Sequence, residues 1–161
     1  MVNKKAQVTY LLYGMAIIIV TAFLGVIGYN VHTEFNDNIQ ADVTIPNISK
    51  NMSAELNTDL NYTFDTFTLV ALLGIIIGSL VISYLFPMNP IAMGVVFILL
   101  LSLTVIPAAL SNVWESFISD ISLVSMRSLF PVTDFIMKNY GMVFLVAFFL
   151  NAIVVLSRRN G

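Results

Sequence analysis

The chain has 161 residues, 58% of them hydrophobic and 10% charged, with a formal net charge of −2 and a mean hydropathy of +0.92. A soluble domain carries charge on about a quarter of its residues, so this chain cannot cover itself in water and the bilayer is its natural solvent. Cysteine is absent and His32 is the single histidine, which excludes disulfide frameworks, thiolate metal sites, cysteine nucleophiles and most histidine-based metal or triad chemistry.

The first uncharged window runs from Ala6 to Val31 around "YLLYGMAIIIVTAFLGVIGY", with Lys4 and Lys5 ahead of it. Its apolar core is longer than the h-region of a signal peptide, so the sequence reads as an uncleaved anchor spanning about residues 6–29. Residues 32–65 hold six acids (Glu34, Asp37, Asp42, Glu55, Asp59, Asp65) against Lys50 and are rich in Asn and Thr. Within them Ile45, Ile48, Met52 and Leu56 recur at helical spacing behind Pro46. This predicts a short amphipathic helix docked on the membrane surface or a neighbour, inside an otherwise mobile segment. Asn47, Asn51 and Asn61 match the glycosylation acceptor pattern, which arises by chance in an Asn-rich stretch. The acidity reads as a solvated face, with attraction for cations or basic partners as the alternative.

From Thr66 to Trp114 no residue is charged. As one straight helix this stretch would reach roughly 70 Å, more than twice the hydrocarbon thickness of a bilayer. "FPMNP" breaks it: Pro87 stops one helix, Asn89 is a good N-cap, and Pro90 suits the first position of the next. The expectation is a helical hairpin with spans at about 66–86 and 90–110, best ordered of all the units. Pro107 falls near the far end of its second arm.

In the outside segment 111–134, "SNVWESFISDISLVSMRSLF" opens with Asn112 and Glu115 in capping-box spacing. Trp114, Phe117, Ile118, Ile121 and Val124 share one face. They predict a helix in the interface with Trp114 at headgroup level, or a face packed on the bundle, with Pro131 ending it. Thr133 or Asp134 then caps a last span over about 135–157, which carries Lys138 and Tyr140 at the interface and contains "NYGMVFLVAFFLNAIVVLS". Arg158 and Arg159 follow. Four crossings place both termini on one side. The basic ends make that side cytoplasmic, and all nine acidic residues lie in the two outside segments.

Apart from Lys138 at the interface end of the last one, the spans contain no Asp, Glu, Lys, Arg or His, the residues that ion or proton coupling normally leaves inside a membrane. Asn151, near the middle of the last span, reads first as an interhelical hydrogen-bonding residue and second as a pore-lining one. Gly74 and Gly78 make a small-residue ridge that Gly14, Gly25 and Gly28 of the first span could face, within one chain or between copies. No phosphate loop, zinc-protease motif or nucleophile elbow appears. The expectation is a non-enzyme with no catalytic, cofactor-binding or metal-binding residues, no cofactor and no sequence-specific nucleic-acid binding.

The hairpin with its "NP" turn, "LSNVWESF", "FPVTDFIMKNYG" and a last span ending in Arg-Arg give residues 66–159 a resemblance. This part is similar to uncharacterised small multi-spanning membrane proteins of marine phages, archaeal viruses and related mobile elements. The resemblance implies a viral membrane component, of the kind that lines a tailless icosahedral virion with an internal bilayer. It carries over no site residues. The expected fold is all-α, a single polytopic membrane domain over 1–161 with four transmembrane helices and one or two amphipathic surface helices. The expected role is a structural protein of the host cytoplasmic membrane or virion membrane. Its partners would be lipids and other membrane or capsid proteins, in a homo- or hetero-oligomer. An accessory subunit of a membrane enzyme complex and a passive or holin-like pore are the alternatives.

Overall fold

This computed structural model describes residues 6–85, 105–120 and 123–159, with side chains over 12–85, 106–120 and 123–157. Among the described residues the chain is all-helical, with no strand. The helices are α1 (Ala6–Ala41), α2 (Asn47–Leu85), α3 (Val105–Ile118), α4 (Met126–Leu129), α5 (Pro131–Lys138) and α6 (Tyr140–Arg159). Three of them, α1, α2 and α6, are long and apolar enough to cross a membrane, which is compatible with an integral membrane location. The third expected span and its turn at Pro87, Asn89 and Pro90 lie for the most part outside the described residues.

The two long helices form one antiparallel hairpin. On α1, Met15, Ile18, Ala22, Gly25 and Tyr29 are buried at three- and four-residue steps, and the stripe continues through half-buried Thr33 to buried Asn36. On α2, Ser53, Thr68, Leu72 and Ser79 are buried and Leu60, Phe64 and Ile75 half-buried on the facing stripe. This is the spacing that winds two helices together. The register is constant along the whole length. Gln40 meets Lys50, Asn36 meets Ser53, Thr33 meets Asn57, Gly25 meets Phe64 and Gly14 meets Ile75, each pair symmetric about the turn over 42–46.

That turn has a local cause. Asp42 Oδ1 accepts hydrogen bonds from the Thr44 backbone N–H (2.8 Å) and hydroxyl (2.7 Å), closing an Asx turn after α1. The Pro46 carbonyl then accepts the Lys50 N–H and starts α2. Pro46 is therefore a helix start, but the helix it starts is not a short one lying on the membrane. It runs without interruption into the apolar window beginning at Thr66. Likewise α1 does not stop near residue 29 with its apolar stretch but continues to Ala41. Most of residues 32–65 is thus a pair of helical extensions rather than a mobile segment. At 1.5 Å per residue, helices of 36 and 39 residues reach roughly 55 Å, about 25 Å more than a hydrocarbon core requires.

What joins the extensions is polar. Ser53 Oγ donates to Asn36 Oδ1 (2.8 Å) and Thr33 Oγ1 to Asn57 Oδ1 (3.1 Å). Gln40 Nε2 donates to the Lys50 carbonyl, and Lys50 Nζ to the Gln40 carbonyl, both at 2.8 Å. Nearer the apolar body, Phe64 and Ile75 fill the space left by Gly25 and Gly14. A Cβ on Gly14 would stand 2.6 Å from Ile75 Cγ2, so glycine is what allows this approach.

Helices α5 and α6 pack against this hairpin, α6 on α2 and α3, and α5 on α2, α3 and α1; α3 meets α1 through Trp114 and Phe23, and α4 packs on α5. The predicted surface helix is differently placed. α3 is described from Val105 onward, so Asn112 lies inside the helix and does not cap it, and α3 ends at Ile118. Pro131 starts α5 at its first turn, where a missing N–H costs nothing, and the preceding helix α4 ends just before it at Leu129. A break at Asn139 separates α5 from α6.

Candidate functional site

Polar side chains converge at two places. The first is the level at which α2 passes from its polar extension into its apolar window. Asp65 stands there, buried, and accepts the backbone N–H groups of Val132 (3.1 Å) and Thr133 (2.7 Å). These are orphan donors of the first turn of α5, so a carboxylate 67 residues earlier in the chain supplies the cap. Neither Thr133 nor Asp134 caps a helix from within. Tyr29 and Phe130 meet edge-to-face beside this contact, with ring centroids 5.4 Å apart.

On the other side of α5 lies a closed set of charges. Lys138 Nζ is 2.9 Å from Asp134 Oδ2 and 3.8 Å from Glu115 Oε1, while Arg127 reaches Glu115 Oε2 at 2.5 Å and lies 3.7 Å from Asp134 Oδ1. Two acids and two bases balance. Asp134 in the first turn and Lys138 in the last also oppose the α5 dipole favourably.

Trp114 completes the cluster. It is fully buried, donates its indole N–H to Asp134 Oδ1 at 3.0 Å, and stacks edge-on against Phe23 with centroids 5.4 Å apart. Of the two expectations for this face, packing on the bundle is the one the contacts of Trp114 match. The ring fills the space between α1 and α3, and its one donor finds a buried carboxylate rather than lipid or water. Tyr140 is buried too, and its hydroxyl and that of Thr133 have no hydrogen-bond partner.

The second place is inside the apolar body. Asn151 Nδ2 donates to Ser79 Oγ (3.0 Å) and to the Ala147 carbonyl (2.7 Å), and Asn151 Oδ1 accepts from Ser83 Oγ (2.5 Å). All three side chains are buried. The amide has its partners on α2 and on its own helix, so the arrangement holds α6 to α2.

Gly74 takes no part in close helix contact among the described residues. It is exposed, and a Cβ added there would meet nothing within 4 Å. Gly14 and Gly25 face Ile75 and Phe64 respectively, not a glycine ridge, and Gly28 also faces open space. Gly78 is half-buried. Ridge and partner glycines are out of phase because the hairpin register puts large side chains opposite the glycines of α1.

An apolar cleft of about 210 Å³ lies between α1, α3 and α6, lined by Met15, Ile19, Pro107, Leu110, Tyr140 and Phe144 among others. Among the described residues no group of three or more His, Asp or Glu side chains is placed to hold a metal ion. The residues that local patterns missed are Asp65 and the paired Thr33–Asn57 and Asn36–Ser53. The signal for the two pairs was the mirror placement of small polar side chains about the turn over 42–46; Asp65 left no such local signal, since its partners are Val132 and Thr133. The chain matches no protein-family model, no curated protein and no solved structure.

Proposed function

We propose that this chain is a non-catalytic structural protein of a membrane, a rigid helical bundle that carries a two-helix arm beyond the lipid. The observation that carries the reading is the continuity of α1 and α2 from their apolar windows into polar extensions zipped by side-chain hydrogen bonds. A loop would hold a neighbour at no fixed distance. A hairpin with constant register fixes the spacing between the bilayer and whatever lies over it.

Polar groups described in the apolar body support a scaffold rather than a conduit, since Ser79, Ser83 and Asn151 bond to one another. In this reading the uncharged sequence window at about 90–110 supplies a further crossing beside α1, the apolar part of α2 and α6, which gives four. Both termini then lie on the cytoplasmic side with their Lys and Arg pairs, and the arm on the other. The membrane is that of a lipid-containing virion, as the resemblance of residues 66–159 implies. Capsid or other membrane proteins are the neighbours.

Quantitative mass spectrometry across a density gradient of the producing culture tests the setting. Co-migration with a capsid protein and nucleic acid in a discrete lipid-containing band is the expected result. Co-migration with bulk cell membrane and a cofactor-bearing enzyme subunit in fixed ratio would replace it with the accessory-subunit reading.

A further inference from the structure

The arm is not finished as a surface. One face carries a groove of about 430 Å³ lined by His32, Phe35 and Ile39 of α1 and by Met52, Leu56 and Asp59 of α2. Phe35 is 59%, Met52 68% and Leu56 51% exposed, and Val31 and Ile48 extend the apolar row at its two ends. On each helix these residues recur every four positions, as Val31, Phe35 and Ile39 on one and Ile48, Met52 and Leu56 on the other. A two-helix supercoil needs one contact stripe per helix, and here Thr33, Asn36, Ser53 and Asn57 already form it. A second pair of stripes converging on one side is the seat of a third helix.

The charges around the seat decide what kind of helix fits. Glu55 and Asp59 stand in the groove wall. Residues 32–64 carry five acids against Lys50 alone, and the Lys50 ammonium donates to the Gln40 carbonyl at 2.8 Å, away from the groove. A second copy of the arm, or an anionic lipid surface, would set like charges against each other at this site. A helix with basic flanks gains from every one of them. His32 Nε2 adds a further requirement, for it is buried without a hydrogen-bond partner at the groove wall, and an occupant with a polar group there would satisfy it.

We propose that this groove receives a basic amphipathic helix of another protein, with apolar residues between the two arm helices and Lys or Arg along Glu55 and Asp59. The inference rests on the arm standing outside the lipid and not on the virion setting.

The test uses the full-length chain in phosphatidylcholine nanodiscs and two fluorescent helical peptides with the same Leu/Ala face, one flanked by Lys and the other by Glu. Binding is read as anisotropy against empty discs. The Lys peptide binds about tenfold or more tightly than the Glu peptide. Met52→Asp abolishes binding, and Glu55→Gln with Asp59→Asn removes the preference for Lys while leaving the fold intact by circular dichroism. Equal binding of the two peptides, or binding indifferent to Met52→Asp, overturns the proposal. So does a Met52→Cys chain that forms disulfide-linked dimers and takes up neither peptide, since the groove is then a contact between copies. An Asn51→Cys reporter, in a chain with no other cysteine, separates the two levels of failure. If an impermeant maleimide cannot reach it, the projecting arm itself is wrong. If it reacts and the peptides do not discriminate, only the groove assignment fails.

Discussion

Asp65 and Thr133 are joined by a 2.7 Å hydrogen bond from the Thr133 backbone to the Asp65 carboxylate, across 68 residues of chain. The bond ties the first turn of α5 to the point on α2 where the polar arm ends and the uncharged window begins. Helix capping by a side chain is normally local. Here the cap also sets how the α3–α5 layer sits on the hairpin, so its loss should be felt beyond one helix end. Asp65→Ala should lower stability by about 1–2 kcal/mol, the range for removing a good cap. Asp65→Asn, which keeps an acceptor, should recover much of it. Thermal unfolding in mild detergent reads both.

Asn151 is placed to hold α6 against α2 through Ser79 and Ser83. Interhelical hydrogen bonds in membranes contribute about 0.6–1 kcal/mol on average. Asn151→Ala should cost on that order. A double-mutant cycle with Ser83→Ala should show coupling of the same size, whereas a cycle with Ser49→Ala in the arm should show none.

Glycine position decides the sign of glycine replacement. Gly14→Ala should destabilise by about 1–3 kcal/mol, because the new methyl meets the stiff, β-branched Ile75 and cannot be accommodated without displacing a helix. Ile75→Val in the same chain should recover little, since the clashing Cγ2 remains, while Ile75→Ala should recover more. Gly74→Ala meets open space and should be neutral or slightly stabilising through helix propensity. Equal losses at both positions would contradict the register of the hairpin.

The arm's turn should be sensitive to acid. Asp42 is held below the ordinary carboxylate value by hydrogen bonds from the Thr44 hydroxyl first and the Thr44 backbone second, with a smaller contribution from Lys50. A lowered folded value means the ionised form is the one the turn favours. Its contribution is therefore fully present above the unfolded value near 3.8 and is lost as pH falls through the lower folded value. Amide exchange at Thr44 should stay slow through pH 4 and accelerate below it beyond the intrinsic trend. Thr44→Ala should move that onset upward.

Trp114 is the single tryptophan, fully buried against Phe23 and Phe117. Its emission should be blue-shifted and resist quenching by headgroup-level agents. Trp114→Phe should cost on the order of 1 kcal/mol from the hydrogen bond to Asp134 alone. Ready quenching would return Trp114 to the membrane surface.

Hydrophobicity made the apolar windows legible, because twenty uncharged residues in a row have few other uses. It made the arm illegible. Asn36, Ser53 and Asn57 occupy positions where a supercoil ordinarily carries Leu or Ile, so a search for apolar periodicity sees a polar segment and reads a loop. The visible stripe of Ile48, Met52 and Leu56 did mark a helix, but the helix is the start of α2, and the stripe lies on its exposed face. Pro46 and Pro131 were both readable as helix punctuation. Only the structure supplies the direction at Pro131, since the carboxylate that makes a start there is Asp65, far away in the chain. Trp114 followed the same logic: an aromatic beside charge reads as interfacial until a buried carboxylate is found within reach of its indole N–H.

The central claim is that α1 and α2 are continuous helices that leave the lipid near Gly25 and Asp65 and project as an ordered arm. Because the chain has no cysteine, single-cysteine accessibility in sealed vesicles tests it directly. Cysteines placed at Asn51, Thr58, Val70 and Ile77 are treated with an impermeant maleimide from the side opposite the termini. Rapid labelling at 51 and 58, with protection at 70 and 77, is the predicted result. Protection at 58, or equal labelling of all four, would contradict it.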